Sequence, residues 1–193
     1  MDARRTSLSS AFTIAIVLIA AAAIAQEQVR LDGSRSDPRV APPGARVVVF
    51  LFTSTDCPIS NRYAPEVRRL AGRFGRDGVV FRLIYPNPAD KPAAIRAHMA
   101  AFAYAGSAQA FHDPEQALVN FAGATVTPEA AVYAGDRIVY RGRIDDRYVD
   151  LSRERPEARE HDLLDALTAV VSGKPVPHPV TQAVGCYLAD FKR

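Results

Sequence analysis

Residues 47–70 read VVVFLFTSTDCPISNRYAPEVRRL. The first six, Val47, Val48, Val49, Phe50, Leu51 and Phe52, form an unbroken apolar run of β-formers. An uninterrupted run of this kind predicts a strand covered on both faces, the situation at the centre of an α/β sheet. Thr53, Ser54, Thr55 and Asp56 end it, and Cys57 and Pro58 follow. Ile59, Tyr63, Val67, Leu70 and Phe74 then recur at steps of three and four, which predicts one long helix with a single apolar face. Proline suits a first helical position, where the missing N–H has no partner to lose. Cys57 therefore stands at the junction of strand and helix.

That position gives the thiol a chemistry. Free N–H groups and the positive end of the helix dipole favour an anion there. The thiolate is the reactive form of cysteine, so Cys57 is the candidate nucleophile. Asp56 opposes the ionisation if its carboxylate lies close. Ser60, one turn along, offers a hydroxyl to a thiolate but no second sulfur. The motif Cys-Pro-Ile-Ser is a one-thiol version of Cys-x-x-Cys. The plain alternative is a small buried core cysteine.

Working outward, residues 79–85 read as a second strand, and residues 91–105 as an alanine-rich helix with Ile95, Met99 and Phe102 inward. Residues 109–111 are a short strand. A short helix follows over residues 114–121, with Asp113 as its N-cap. Residues 129–134 and 137–141 alternate around Gly135-Asp136, a hairpin signal. A last helix is predicted over residues 156–171, with Leu163, Leu164, Leu167 and Val170 inward. Strands separated by helices require parallel pairing with right-handed crossovers, and the hairpin adds antiparallel strands. The expected class is α/β, with a central mixed β-sheet flanked by helices on both faces.

The ends carry different information. Arg4 and Arg5 precede an apolar run over residues 11–25 that closes on Ala23-Ile24-Ala25. This has the form of a signal peptide over residues 1–25 and predicts export to a periplasmic or extracellular location; a retained N-terminal anchor is the alternative. The run is shorter than the ~20 residues of a membrane span. Residues 26–45 are a polar, Pro/Gly-rich lead-in with a short edge strand at residues 28–31. The folded domain occupies residues 46–172, and residues 173–193 are a tail.

Among 193 residues, 48% are hydrophobic and 23% charged, an ordinary globular balance, and the net charge is only +3. The basic residues alternate with acids and form no stripe interleaved with aromatics, which argues against nucleic acid as partner. The charged stretch from Arg143 to Arg147 reads as a solvated loop that pairs with itself. The chain has two cysteines, Cys57 and Cys186, the latter in the tail behind Gly185. In an oxidising compartment the pair is a redox couple, a structural staple, or two thiols that never meet. His98, His112, His161 and His178 do not cluster in sequence. A Cu(I) site on the two sulfurs has soft ligands in its favour but no ligand spacing.

Residues 47–70, followed by Thr127-Pro128 just before the hairpin, resemble the active-site strand, helix and cis-proline of the thioredoxin-like superfamily. Within it they are most similar to the redoxin, or alkyl-hydroperoxide-reductase/thiol-specific-antioxidant, branch. The resemblance spans residues 47–167. It implies that Pro128 is cis and faces Cys57, and that Thr55, Pro58, Thr127 and Pro128 shape a substrate groove. It further implies thiol–disulfide chemistry with no cofactor beyond the thiols, and a thiol or disulfide protein, an electron donor or a peroxide as partner. Cys186 would then act as a resolving cysteine on a mixed disulfide or sulfenic acid at Cys57. The sequence departs from the pattern in three places. Ser60 stands where thiol oxidoreductases carry a second cysteine, and no tryptophan precedes the motif. Phe50 and Ser54 occupy the proline and threonine positions of the peroxidase motif, and no peroxidatic arginine is identifiable, so peroxidase activity is the runner-up.

Overall fold

The computed structural model describes residues 28–29 and 34–188. The expected leader, residues 1–25, lies outside the described residues. In chain order the elements are β1 (Gln28–Val29), β2 (Arg35–Ser36), β3 (Val47–Phe52), α1 (Pro58–Arg62), α2 (Ala64–Phe74), β4 (Val79–Tyr85), α3 (Pro92–Ala101), β5 (Gln109–His112), α4 (Ala117–Ala122), β6 (Val126–Thr127), β7 (Glu129–Ala134), β8 (Arg137–Gly142), α5 (Asp162–Val171) and β9 (Cys186–Tyr187).

The main sheet has five strands in the order β5-β4-β3-β7-β8. Strands β3, β4 and β5 are parallel, while β7 and β8 run antiparallel. The apolar run of β3 is central, and all six of its residues are buried. Alternate residues serve two cores. Val47, Val49 and Leu51 join Tyr63 and the helix residues Ile59, Val67, Leu70 and Leu167; Val48, Phe50 and Phe52 join Leu118 and Val119 of α4. Each such buried side chain contributes about 1.5–3 kcal/mol relative to exposure.

Four expectations are corrected by the structure. The helix after Cys57 is two helices, broken at Tyr63, whose N–H is shared between the carbonyls of Ile59 and Ser60 at 3.2 and 3.1 Å. Pro65 explains the break, because it has no N–H to continue the ladder. The last helix starts at Asp162 rather than residue 156. The segment ahead of it is wrapped around Asp146, whose Oδ1 accepts the N–H groups of Arg159 and Glu160 at 2.6 and 3.0 Å. The loop beginning at Arg143 is correspondingly not a solvated surface: Asp145 and Asp146 are buried, and Asp145 accepts the Tyr63 hydroxyl. On α3, His98 is buried in place of Met99 and Phe102, which are only partly covered. A buried imidazole is tolerated there because both ring nitrogens are hydrogen-bonded.

After α5 the chain returns along β8. The Arg141 N–H donates to the Pro179 carbonyl at 2.8 Å, and the Thr181 N–H donates to the Arg141 carbonyl at 3.0 Å. The chain then crosses to β6, where β9 pairs antiparallel, Thr127 opposite Cys186 and Val126 opposite Tyr187.

Candidate functional site

Strand β3 ends at Phe52, and the next five residues turn the chain into α1. This turn is tied down from beneath by Asp90, a residue of the β4–α3 loop that is 3% exposed. Its carboxylate accepts the Thr55 hydroxyl, the Thr55 N–H at 3.3 Å and the Ser54 hydroxyl at 3.3 Å. Ser54 also bonds the exposed Asp56. A second set of bonds reaches the same turn from α3. Asn61 donates its amide to the Thr55 carbonyl at 3.3 Å, and its Oδ1 lies 2.7 Å from His98 Nε2. The amide oxygen can only accept, so His98 carries its proton on Nε2, and Nδ1 accepts from the Tyr85 hydroxyl at 2.8 Å. Burial pushes the Tyr85 phenol above its usual range, which keeps it a donor, and burial lowers the His98 pKa, which keeps the ring neutral.

Cys57, so placed, is 1% exposed and belongs to the larger apolar core. Its sulfur is bonded to Cys186 across a Cα–Cα distance of 6.1 Å. The same Sγ lies 3.0 Å from the Thr127 carbonyl oxygen, a hydrogen bond that only the reduced thiol can donate. The Thr127-Pro128 bond is cis, and both residues are buried. Gly185 passes directly over this peptide: a Cβ at position 185 would fall inside contact distance of the Thr127 carbonyl. Only glycine lets the tail approach so closely.

The remaining expected site residues have distinct fates. The Ser60 hydroxyl is 2% exposed and has no hydrogen-bond partner. Pro58 is exposed at the start of α1. Thr55 is partly exposed, its hydroxyl committed to Asp90. Arg62 points away from Cys57, pairing with Glu154 at 3.2 Å and Tyr148 at 3.4 Å. The helix that opens beside Cys57 is only five residues long, so its dipole is weaker than the sequence implies. Among the described residues no three His, Cys, Asp or Glu side chains are grouped as a metal site, so a copper site on the two sulfurs gains no third ligand of that kind.

Sequence reasoning missed Asp90, Asn61 and His98. Asp90 lies 35 positions from Thr55 and His98 lies 37 from Asn61, separations that no local pattern reports. A cleft of about 180 Å³ beside the disulfide is lined by Ser54, Asp56, Asn87, Thr127, Cys186 and Tyr187, among others, but not by Cys57. A larger cavity between α2 and residues 143–161 touches neither sulfur.

No protein-family model matches the chain, and no curated protein matches its sequence. Solved structures do match. An uncharacterized conserved protein from Geobacillus kaustophilus superposes with a TM-score of 0.71 at 24% identity, covering 86% of this chain and 89% of that one. A secreted Mycobacterium tuberculosis disulfide oxidoreductase, described as homologous to E. coli DsbE, matches with a TM-score of 0.53 at 16% identity over 77% of this chain and 96% of that one. A thioredoxin-like protein from Aeropyrum pernix gives 0.52 at 15% identity over 76% and 88%. Among the described residues no helix is long and apolar enough to cross a membrane. With a central five-stranded mixed sheet, a cysteine at the start of the first long helical segment and a cis-proline opposite it, the chain has the thioredoxin-like fold.

Proposed function

We propose that this chain is an exported thiol–disulfide redox protein in which Cys57 and Cys186 form a reversible couple. The observation that carries the reading is the return of the tail, 129 positions along the chain, to lay Cys186 on Cys57 against the cis Thr127-Pro128 peptide. A disulfide serving only as a staple needs neither a cis-proline nor an unpartnered buried hydroxyl one turn away. Both have uses in thiol exchange. When the bond opens, the Ser60 hydroxyl gains an acceptor in the Cys57 thiolate, and the protonated thiol gains one in the Thr127 carbonyl. Pro128 and the Thr127 backbone form the floor on which an extended segment docks, as the tail itself does. The Cys-Pro-Ile-Ser segment and its likeness to the redoxin branch favour this class. The leader and the secreted nature of one structural neighbour support export.

The test is a redox titration of the purified protein in glutathione buffers, with intact mass and peptide mapping. A two-electron transition that links and unlinks Cys57 and Cys186 in the native fold supports the reading, together with disulfide-exchange activity that disappears in Cys57→Ser. A bond that opens only after denaturation leaves a structural staple and defeats it.

A further inference from the structure

The two sulfurs of the disulfide are not equally reachable. Cys57 is 1% exposed and packed into the core, whereas Cys186 is partly exposed on a two-residue edge strand next to Tyr187, itself 82% exposed. The cleft beside the bond is lined by Cys186 and not by Cys57. Thiol–disulfide exchange needs the attacking sulfur in line with the bond it breaks. Cys57 is a member of the core with Ile59, Tyr63 and Leu51, so an attacking sulfur has no open approach to it, whereas Cys186 only packs against the edge of that core and borders the cleft.

From this asymmetry, and resting on the redox reading above, we infer that Cys186 is the sulfur that exchanges with partners and that Cys57 is the internal sulfur that leaves and returns. The order inverts the sequence expectation, in which Cys57 meets the partner and Cys186 resolves. In the reducing direction a donor thiolate attacks Cys186 Sγ. The Cys57–Cys186 bond breaks, its electron pair leaves on Cys57 Sγ, and a mixed disulfide forms between donor and Cys186. The released Cys57 thiolate finds the Ser60 hydroxyl, the buried donor that has no partner while the disulfide is closed. A second donor thiolate then attacks the donor sulfur of the mixed disulfide, which frees Cys186 and releases the oxidised donor. Two thiols are oxidised and one protein disulfide is reduced. Run backwards, the same path has Cys186 attack a partner disulfide and Cys57 close the ring.

The experiment uses the oxidised wild-type protein and glutathione. The reaction is stopped at early times by N-ethylmaleimide, and the sites of both adducts are mapped. The expected result is glutathione on Cys186 and maleimide on Cys57, in at least tenfold excess over the reverse pattern. Glutathione on Cys57 with maleimide on Cys186, or an even mixture, overturns the order while leaving the redox couple intact. A native disulfide that glutathione does not open at all overturns the redox reading and this inference with it.

Discussion

Cys57 sits in a turn whose polar atoms are matched from beneath by Asp90 and Asn61, with His98 and Tyr85 behind them. Cys186 sits in a strand of two residues, fastened to β6 and continued by one bond from the Leu188 N–H to the Thr125 carbonyl at 3.1 Å. One sulfur is fixed by long-range buried bonds and the other is laid on an edge. Buried hydrogen bonds to a carboxylate are costly to break, and an exposed two-residue ladder is not. The difference gives each sulfur a role: a stationary one that keeps its environment in both redox states, and a mobile one that can open toward solvent.

The largest effect tests the bond between the two regions. Reduction removes a cross-link over 129 positions, worth about 5 kcal/mol of stability on the chain-entropy model. Guanidinium unfolding of the oxidised and reduced forms should differ by only part of that, about 3 kcal/mol, because a tail released on reduction regains freedom in the folded state as well. A difference of the full amount would mean that the tail stays in place without the bond, against the mobile role given to Cys186.

The next strikes the fixed side. Asp90→Ala leaves the Thr55 N–H and the Ser54 and Thr55 hydroxyls without their common acceptor. A loss of about 2–3 kcal/mol is expected in thermal or denaturant unfolding, with slower formation of the Cys57–Cys186 bond. Unchanged stability would show that solvent replaces the carboxylate and that the turn is not held by it.

A milder change loosens the mobile side. Gly185→Ala forces the tail off the Thr127 carbonyl. In a fixed glutathione buffer the ratio of disulfide to dithiol should fall about tenfold, equivalent to ~1.4 kcal/mol, with little change in the stability of the reduced form. A fall in both would place Gly185 among the residues that fix the whole domain.

The smallest effect is a pH dependence. Burial lowers the His98 pKa below the ordinary 6.5. Native His98 stays neutral where the unfolded chain binds a proton, so its stabilising bonds are fully present above pH 6.5 and are lost as pH falls through the lower, folded-state value. The unfolding midpoint should therefore decline on acidification from pH 7 to 5, and His98→Gln should flatten that decline. An identical slope in the variant would place the titrating group elsewhere.

The sequence alone determined the elements whose signals are local. The apolar run of Val47–Phe52 could only be a central strand, because every residue in it needs cover. Cys57 and Pro58 marked the start of a helix, and Gly135-Asp136 the hairpin, because proline and glycine limit the backbone on their own. Tertiary structure decided what depends on distant partners. Pro65 was in plain view, yet whether it ended a helix or bent one depended on packing around Tyr63. Asp90 and His98 were ordinary until β4 and α3 carried them beneath the turn. The pairing of Cys57 with Cys186, and which of the two faces the solvent, followed from where the tail lands. A strand pairing between β6 and β9 is a property of two segments at once, and neither segment carries a local record of the other.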